Sequence, residues 1–311
     1  MNERILVLKL GALGNIVLSL GPFAAIRAHH ANAEITLLTT APYQQWMSHA
    51  PYFDHVWIDG RPDWSNVRGW LGLRRRLAAA GFTRVYDLQT SGRSNNYFRL
   101  FPRSARPEWS GIAIGCSHPD RDPDRDYIHD FDRQVGQLRQ AGITRVAPAD
   151  LSWSRGDISR FALPARYALL VPGSSPHRPQ KRWPTTRYLA LAEQLAKQGL
   201  TPVVLGSSAE RPLAQEIGAA ARDLTGRTTI DDLASLARSA TVAIGNDTGP
   251  MHLLAAAGCP SVVLFSNDSD PALCAPRGPS VRVLRRPALA DLPVEEVAAK
   301  TFSLLPNPQP V

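Results

Sequence analysis

The sequence predicts an α/β protein of two doubly wound lobes, and three observations carry that prediction. Short β-rich segments alternate with longer helical patterns, the signature of parallel sheets covered by helices. The alternation runs twice, interrupted by an aperiodic stretch from Trp153 to Pro164 that carries Gly156. The 311 residues also exceed what one core normally organises and suit two domains of about 150 residues each. The expected domains are 1–155 and 156–311, with a ligand crevice outside the carboxyl ends of their strands.

The elements follow in order. Ile5–Leu10 reads as a strand, and after Gly11–Gly14 an apolar helix runs to about His30. Strands are expected at 34–39, 55–58 and 84–87, with a short helix at 43–48 and a basic one over 66–79. In the second lobe, strands are expected at 167–171, 202–205, 242–245 and 261–265. Helices are expected over 185–198, after Ser208, over 231–238, from Asp247, and over 294–305 before a proline-rich tail.

Composition narrows the function. Hydrophobic residues make up 44% of the chain and charged residues 20%, the balance of a globular enzyme with little extended disorder. No apolar run approaches the ~20 residues that span a bilayer, and the N-terminus leads into a strand rather than a signal peptide. A cytoplasmic location is expected. Cys116, Cys259 and Cys274 are widely spaced and odd in number, which suits packing rather than a disulfide framework or a zinc site. The net charge of +8 comes mostly from arginine and suits phosphate-bearing partners. Nucleic acid is not expected, because the arginines are dispersed and no recognition motif is present. Arg74–Arg76 is the one tight basic run; it reads as a solvated helix face, with contact to anionic lipid at the inner membrane surface as the minority reading.

Two segments carry chemistry. In the first, Gly245 to Pro260, a strand runs through a turn into a helix start. Asp247 or Thr248 can cap that helix, Gly249 admits close backbone approach, and Pro250 fits the first turn. The amino end of such a helix is a site for an anion such as diphosphate, and His252 stands in its first turn. The second segment, Val171 to Pro184, combines Ser174 and Ser175 with clustered cations, an arrangement that can cradle phosphates. Lys181 is one of four lysines in the chain.

Together these motifs resemble the donor site of glycosyltransferase family 9, the bacterial heptosyltransferases, and Leu8–Gly14 is similar to that family's first strand and loop. The resemblance covers essentially the whole chain. It implies two Rossmann-like lobes facing each other across a cleft, the GT-B arrangement, with acceptor on the first lobe and nucleotide sugar on the second. It also implies inverting transfer of a heptose from an ADP-linked donor to lipopolysaccharide core or a related glycan, with no cofactor and no bound metal. By the same resemblance, Ser174, Ser175 and Lys181 match the phosphate-binding residues. Asp247, Thr248, Gly249 and His252 match the motif that holds diphosphate and sugar, and Glu210 matches a carboxylate for the donor's ribose. A helix-start glutamate explains Glu210 equally well.

One position departs from the family. Inverting transfer needs a base for the acceptor hydroxyl, and the family places an aspartate where this chain has Asn15. An amide orients a hydroxyl but does not take its proton at neutral pH. Three readings follow: another base, with Asp87 at a strand end as the candidate; slow transfer; or a nucleotide-sugar-binding protein without turnover. The intact donor motifs favour an active transferase. A nicotinamide dehydrogenase fits poorly, since the full G-x-G-x-x-G spacing and the acidic ribose ligand are missing, and neither a P-loop nor a G-x-S-x-G elbow occurs. For the acceptor, Gln89–Arg93, Trp109 and Cys116–His118 are candidates with equally plain structural readings.

Overall fold

The chain is seen in a computed structural model that describes residues 3–175 and 177–305. Met1, Asn2, Pro176 of the basic loop, and the expected proline-rich tail lie outside the described residues. The chain divides after Ala149, a little before the boundary expected at 155. Ser154 donates to Asp231 (2.7 Å) and the Gly156 amide donates to Ser235 (2.9 Å), tying this stretch to the second unit.

In the first unit Ile5, Leu6, Val7 and Leu8 are all fully buried, which a strand achieves only in a sheet covered on both faces. The strands are β1 (Arg4–Leu8), β2 (Glu34–Thr39), β3 (His55–Ile58), β4 (Arg84–Asp87), β5 (Glu108–Gly111) and β6 (His118–Pro119). All pair in parallel, in the order β3-β2-β1-β4-β5-β6. The helices are α1 (Leu13–Val17), α2 (Leu20–His29), α3 (Ala41–Ser48), α4 (Val67–Ala79), α5 (Gly92–Phe98) and α6 (Asp130–Gln140). The apolar helix expected from Gly14 to His30 is therefore two helices. Pro22 has no N–H for the Leu18 carbonyl, so the ladder breaks and restarts with proline in the first turn; the Ser19 hydroxyl donates to Asn15 O at the break (2.7 Å).

The second unit repeats the plan with β7 (Tyr167–Val171), β8 (Thr201–Val204), β9 (Arg222–Asp223), β10 (Val242–Asn246), β11 (Ser261–Phe265) and β12 (Val281–Arg285). Their order is β12-β11-β10-β7-β8-β9, again parallel. The helices are α7 (Thr185–Lys197), α8 (Arg211–Ile217), α9 (Ile230–Ser239), α10 (Gly249–Ala256), α11 (Pro271–Cys274) and α12 (Val294–Phe302). Trp183, Tyr188, Leu191 and Leu195 pack with Leu170, Ile244 and Leu264 of the sheet. Both units are thus Rossmann-like α/β lobes. In each, the strand order reverses between the first and fourth strands, and ligands of such sheets sit beyond the carboxyl ends at that reversal. These points lie between β1 and β4, and between β7 and β10.

Candidate functional site

In the second unit, both segments singled out from the sequence leave the sheet at the reversal. β7 runs into Pro172–Pro184, and β10 runs into the turn before α10. Asn246, fully buried at the end of β10, ties them together. Its amide donates to Pro172 O (2.7 Å) and Gly173 O (3.2 Å). Its carbonyl accepts from the Trp183 amide (3.1 Å) and the Tyr188 hydroxyl (3.2 Å). Sequence reasoning missed this residue, although a polar side chain closing an apolar strand is a readable signal.

Lys181 and Asp247 meet. The ammonium lies 2.6 Å from Asp247 Oδ2, which also accepts from the Ser269 hydroxyl (2.6 Å). Asp247 therefore does not cap α10. The helix starts at Gly249 with Thr248 in the cap position, and neither the Thr248 hydroxyl nor Asp247 makes the expected cap bond. The ammonium draws the carboxylate away, because a largely buried charge needs a counter-charge. Thr248 Oγ1 is buried and without a hydrogen-bond partner among the described residues. His252, in the first turn of α10, is buried as well.

The rest of the loop is braced from within. The Ser174 hydroxyl donates to Arg178 O (3.0 Å) and accepts from Arg182 Nε (3.0 Å), while Ser175 stands exposed. Glu210 closes on this loop from the end of β8. Its Oε2 accepts the Ser207 amide (2.7 Å), and a Cβ at Gly173 would lie 1.5 Å from its Oε1. A side chain at position 173 would displace that carboxylate. Glu210 is thus both the helix-start glutamate and a carboxylate held at the reversal.

In the first unit, Asn15 is exposed on α1. Asp87, at the end of β4, is fully buried, and its Oδ1 accepts the amides of Gln89 (3.1 Å) and Thr90 (3.0 Å). Lys9 is buried beside it, donating to Leu88 O (2.8 Å) with Asp130 Oδ2 at 4.0 Å. A base must touch the hydroxyl it deprotonates. Asp87 is sealed in this structure, where it braces the turn after β4. Trp109 is likewise a core residue, packed edge-on against Phe98 and Phe101, and the half-buried Gln89 accepts the Leu10 amide (2.8 Å). Cys116 and Cys259 are buried as expected, while Cys274 is half-buried on α11.

Burial pushes the Asp87 carboxyl up to about 6, against the opposing pull of the Thr90 amide, Ser94, the Gln89 amide and Lys9. Burial lowers the Lys9 ammonium, with Asp130 and Asp87 acting against the shift. An unfolded aspartate titrates near ~3.9. A value raised on folding means that the buried charge costs stability above pH ~6, and that the cost disappears as pH falls toward ~4. Asp87→Asn does not titrate. Its unfolding free energy relative to the parent should therefore rise by about 2 kcal/mol between pH ~4 and ~7. Urea unfolding across that range measures the difference, and a flat result would mean that Asp87 titrates as an ordinary aspartate.

Among the described residues, no helix is long and apolar enough to cross a membrane. The sequence model of glycosyltransferase family 9 (heptosyltransferase) matches residues 133–299, more than half of the chain. Lipopolysaccharide heptosyltransferase 2 of Salmonella typhimurium is 27% identical over 312 aligned positions, covering 91% of this chain and 88% of that protein. Among solved structures, the ADP-heptose lipopolysaccharide heptosyltransferase II of E. coli has a TM-score of 0.76 at 22% identity, covering 97% of this chain and 98% of that one. A family 9 glycosyltransferase from Veillonella parvula reaches 0.82 at 21% identity, with 97% of each chain covered. The fold is the GT-B fold of these enzymes. A family match that begins within α6, ends within α12 and takes in both strand-end segments makes the chain a member of glycosyltransferase family 9, and so a glycosyltransferase.

Proposed function

We propose that the protein transfers a heptose from an ADP-linked donor to a lipopolysaccharide-core or related glycan acceptor, with inversion and with no metal or other cofactor. The observation that carries this reading is the meeting of the β7 loop and the start of α10 at the strand reversal of the second unit, joined through Lys181 and Asp247. The names of the relatives supply the sugar and the acceptor class. The acceptor hydroxyl attacks the anomeric carbon and gives up its proton to water, and the bond to the diphosphate breaks with its electron pair on the departing oxygen. Lys181 and the amino end of α10 offset the charge that develops there. Ser174 and Ser175 edge the phosphate site, Glu210 takes the ribose hydroxyls, and Thr248, Gly249 and His252 hold diphosphate and sugar. The transfer takes place on the cytoplasmic side.

The second reading, a nucleotide-sugar-binding protein without turnover, has its own observation. Asn15 is exposed where the family carries its base, and Asp87 is sealed. One screen addresses the donor and separates the two readings. A donor at 100 times its dissociation constant stabilises by about 2.7 kcal/mol. ADP-linked sugars should therefore raise the melting temperature while UDP- and GDP-linked sugars do not. Stabilisation by another nucleotide series alone overturns the ADP assignment. Stabilisation by ADP-heptose with no transfer to any deacylated core acceptor selects the binding protein.

A further inference from the structure

Exposed apolar side chains gather on one part of the first unit. Trp64 is 66% exposed, Val67 64%, Leu71 43% and Ile114 92%. Val67 and Leu71 lie one turn apart on α4, and the helical period carries their face on to Arg74 and Arg75, both exposed. The opposite side of α4 packs into the core through Leu77, with Trp70 and Leu73 half-buried against it. Trp64 stacks on Trp70 (centroids 5.2 Å apart, planes at 16°), and the Arg93 guanidinium lies over both rings. The aromatic pair is therefore a fixed platform rather than a loose loop.

The charge on α4 has one sign, with the exposed Asp63 standing just before Trp64. From Trp64 to Gly81 the chain carries Arg68, Arg74, Arg75 and Arg76 and no carboxylate. A hollow of about 470 Å³ beside α4 is lined by Arg74, Arg99, Arg103 and Arg106, with Ile114 at the same wall and no acidic residue. Arg106 is held over the Phe98 ring at 4.2 Å. Guanidinium groups gathered without carboxylates favour phosphate, which they can grip in pairs. Exposed tryptophan and aliphatic side chains favour an apolar layer beside it. An anionic phospholipid surface offers both together.

We propose that this face of the first unit docks on an anionic phospholipid bilayer, with Trp64, Val67 and Leu71 among the headgroups and the arginines on the phosphates. This deepens the function proposed above and rests on its lipid-borne acceptor. The test uses the full chain in flotation with vesicles of phosphatidylcholine alone or mixed with phosphatidylglycerol. The protein floats with the mixed vesicles only. Arg74→Ser/Arg75→Ser loses roughly fivefold in binding per arginine, roughly 30-fold in all, and Val67→Asp/Leu71→Asp weakens binding by at least as much. Both variants change exposed residues and should keep the parental melting temperature and its shift with ADP-heptose, so a lost membrane site is distinguishable from a lost donor site. Four results would each overturn the proposal. They are no flotation on anionic vesicles, flotation that the aspartate variant retains or inorganic phosphate abolishes at constant ionic strength, and a solution dimer disrupted by Leu71→Asp, which would assign the face to a second copy of the chain.

Discussion

Lys181→Met is expected to lower both stability and transfer by large amounts, and the two losses should come apart in a second variant. The ammonium and the Asp247 carboxylate are 2.6 Å apart, with side chains 11% and 8% exposed. Removing one partner of such a pair leaves a buried charge uncompensated, at a cost of about 3–5 kcal/mol. The Ser269 hydroxyl remains as a donor to Asp247, which argues for the lower end. At roughly 2–4 °C per kcal/mol for a domain of this size, the melting temperature should fall by about 6–12 °C. Lys181→Met/Asp247→Asn removes the stranded charge and should recover most of that loss. On the proposed mechanism transfer should not recover, because the leaving diphosphate would still lack its cation, an omission that commonly costs about 10²–10³-fold. A single variant that melts like the parent would mean that the pair is not sequestered. A double variant that regains transfer would reduce Lys181 to a structural partner of Asp247.

That pair also marks how far the sequence can be read. The strands at 34–39, 55–58, 84–87, 167–171 and 261–265 fall where they were expected, because a short apolar, aromatic or β-branched run with punctuation at its ends reads as a strand, whether covered on both faces like β7 and β11 or half exposed at the edge like β3. β5 has no such run: Glu-Trp-Ser-Gly is a strand held in parallel between β4 and β6. β12, Val-Arg-Val-Leu-Arg at the edge of its sheet, buries only Leu284, and α6 is a polar helix opened by the His129 side chain. The segments flanking the second lobe's reversal were legible as types of loop, since glycine, proline, small hydroxyls and a helix start leave their marks locally. Their mutual arrangement was not. Lys181 and Asp247 are 66 positions apart, and nothing local announces that the aspartate turns from the helix it could cap to the lysine. The same holds for Glu210, whose carboxylate closes on Gly173, and for Asp87, whose burial depends on Gln137, Ser110 and Lys9 arriving from other elements. Gln137, for example, donates to Asp87 O (3.0 Å) and Ser110 Oγ (3.2 Å).

Asn15→Asp should raise the rate of transfer without a comparable change in donor affinity. The side chain is exposed on α1, and its backbone carbonyl already holds the Ser19 hydroxyl, which also lies 2.8 Å from Gln134. The change swaps one exposed terminal group for another of the same shape, so folding is expected to be nearly unaffected. What changes is basicity. A carboxylate takes a proton that an amide cannot, and general-base help is typically worth about 10²–10⁴-fold. The gain should appear in kcat, with KM for the donor close to parental. The pH profile supplies a second readout. If the parent relies on hydroxide, its rate climbs about tenfold per pH unit, whereas an exposed aspartate is ionised well below neutrality and should hold the variant's rate level from pH ~6 to ~8. A rate that stays the same or falls, with the ADP-sugar still stabilising the protein, would remove position 15 from the proton's path. A level profile in the parent itself would mean that a base is already at work in this chain.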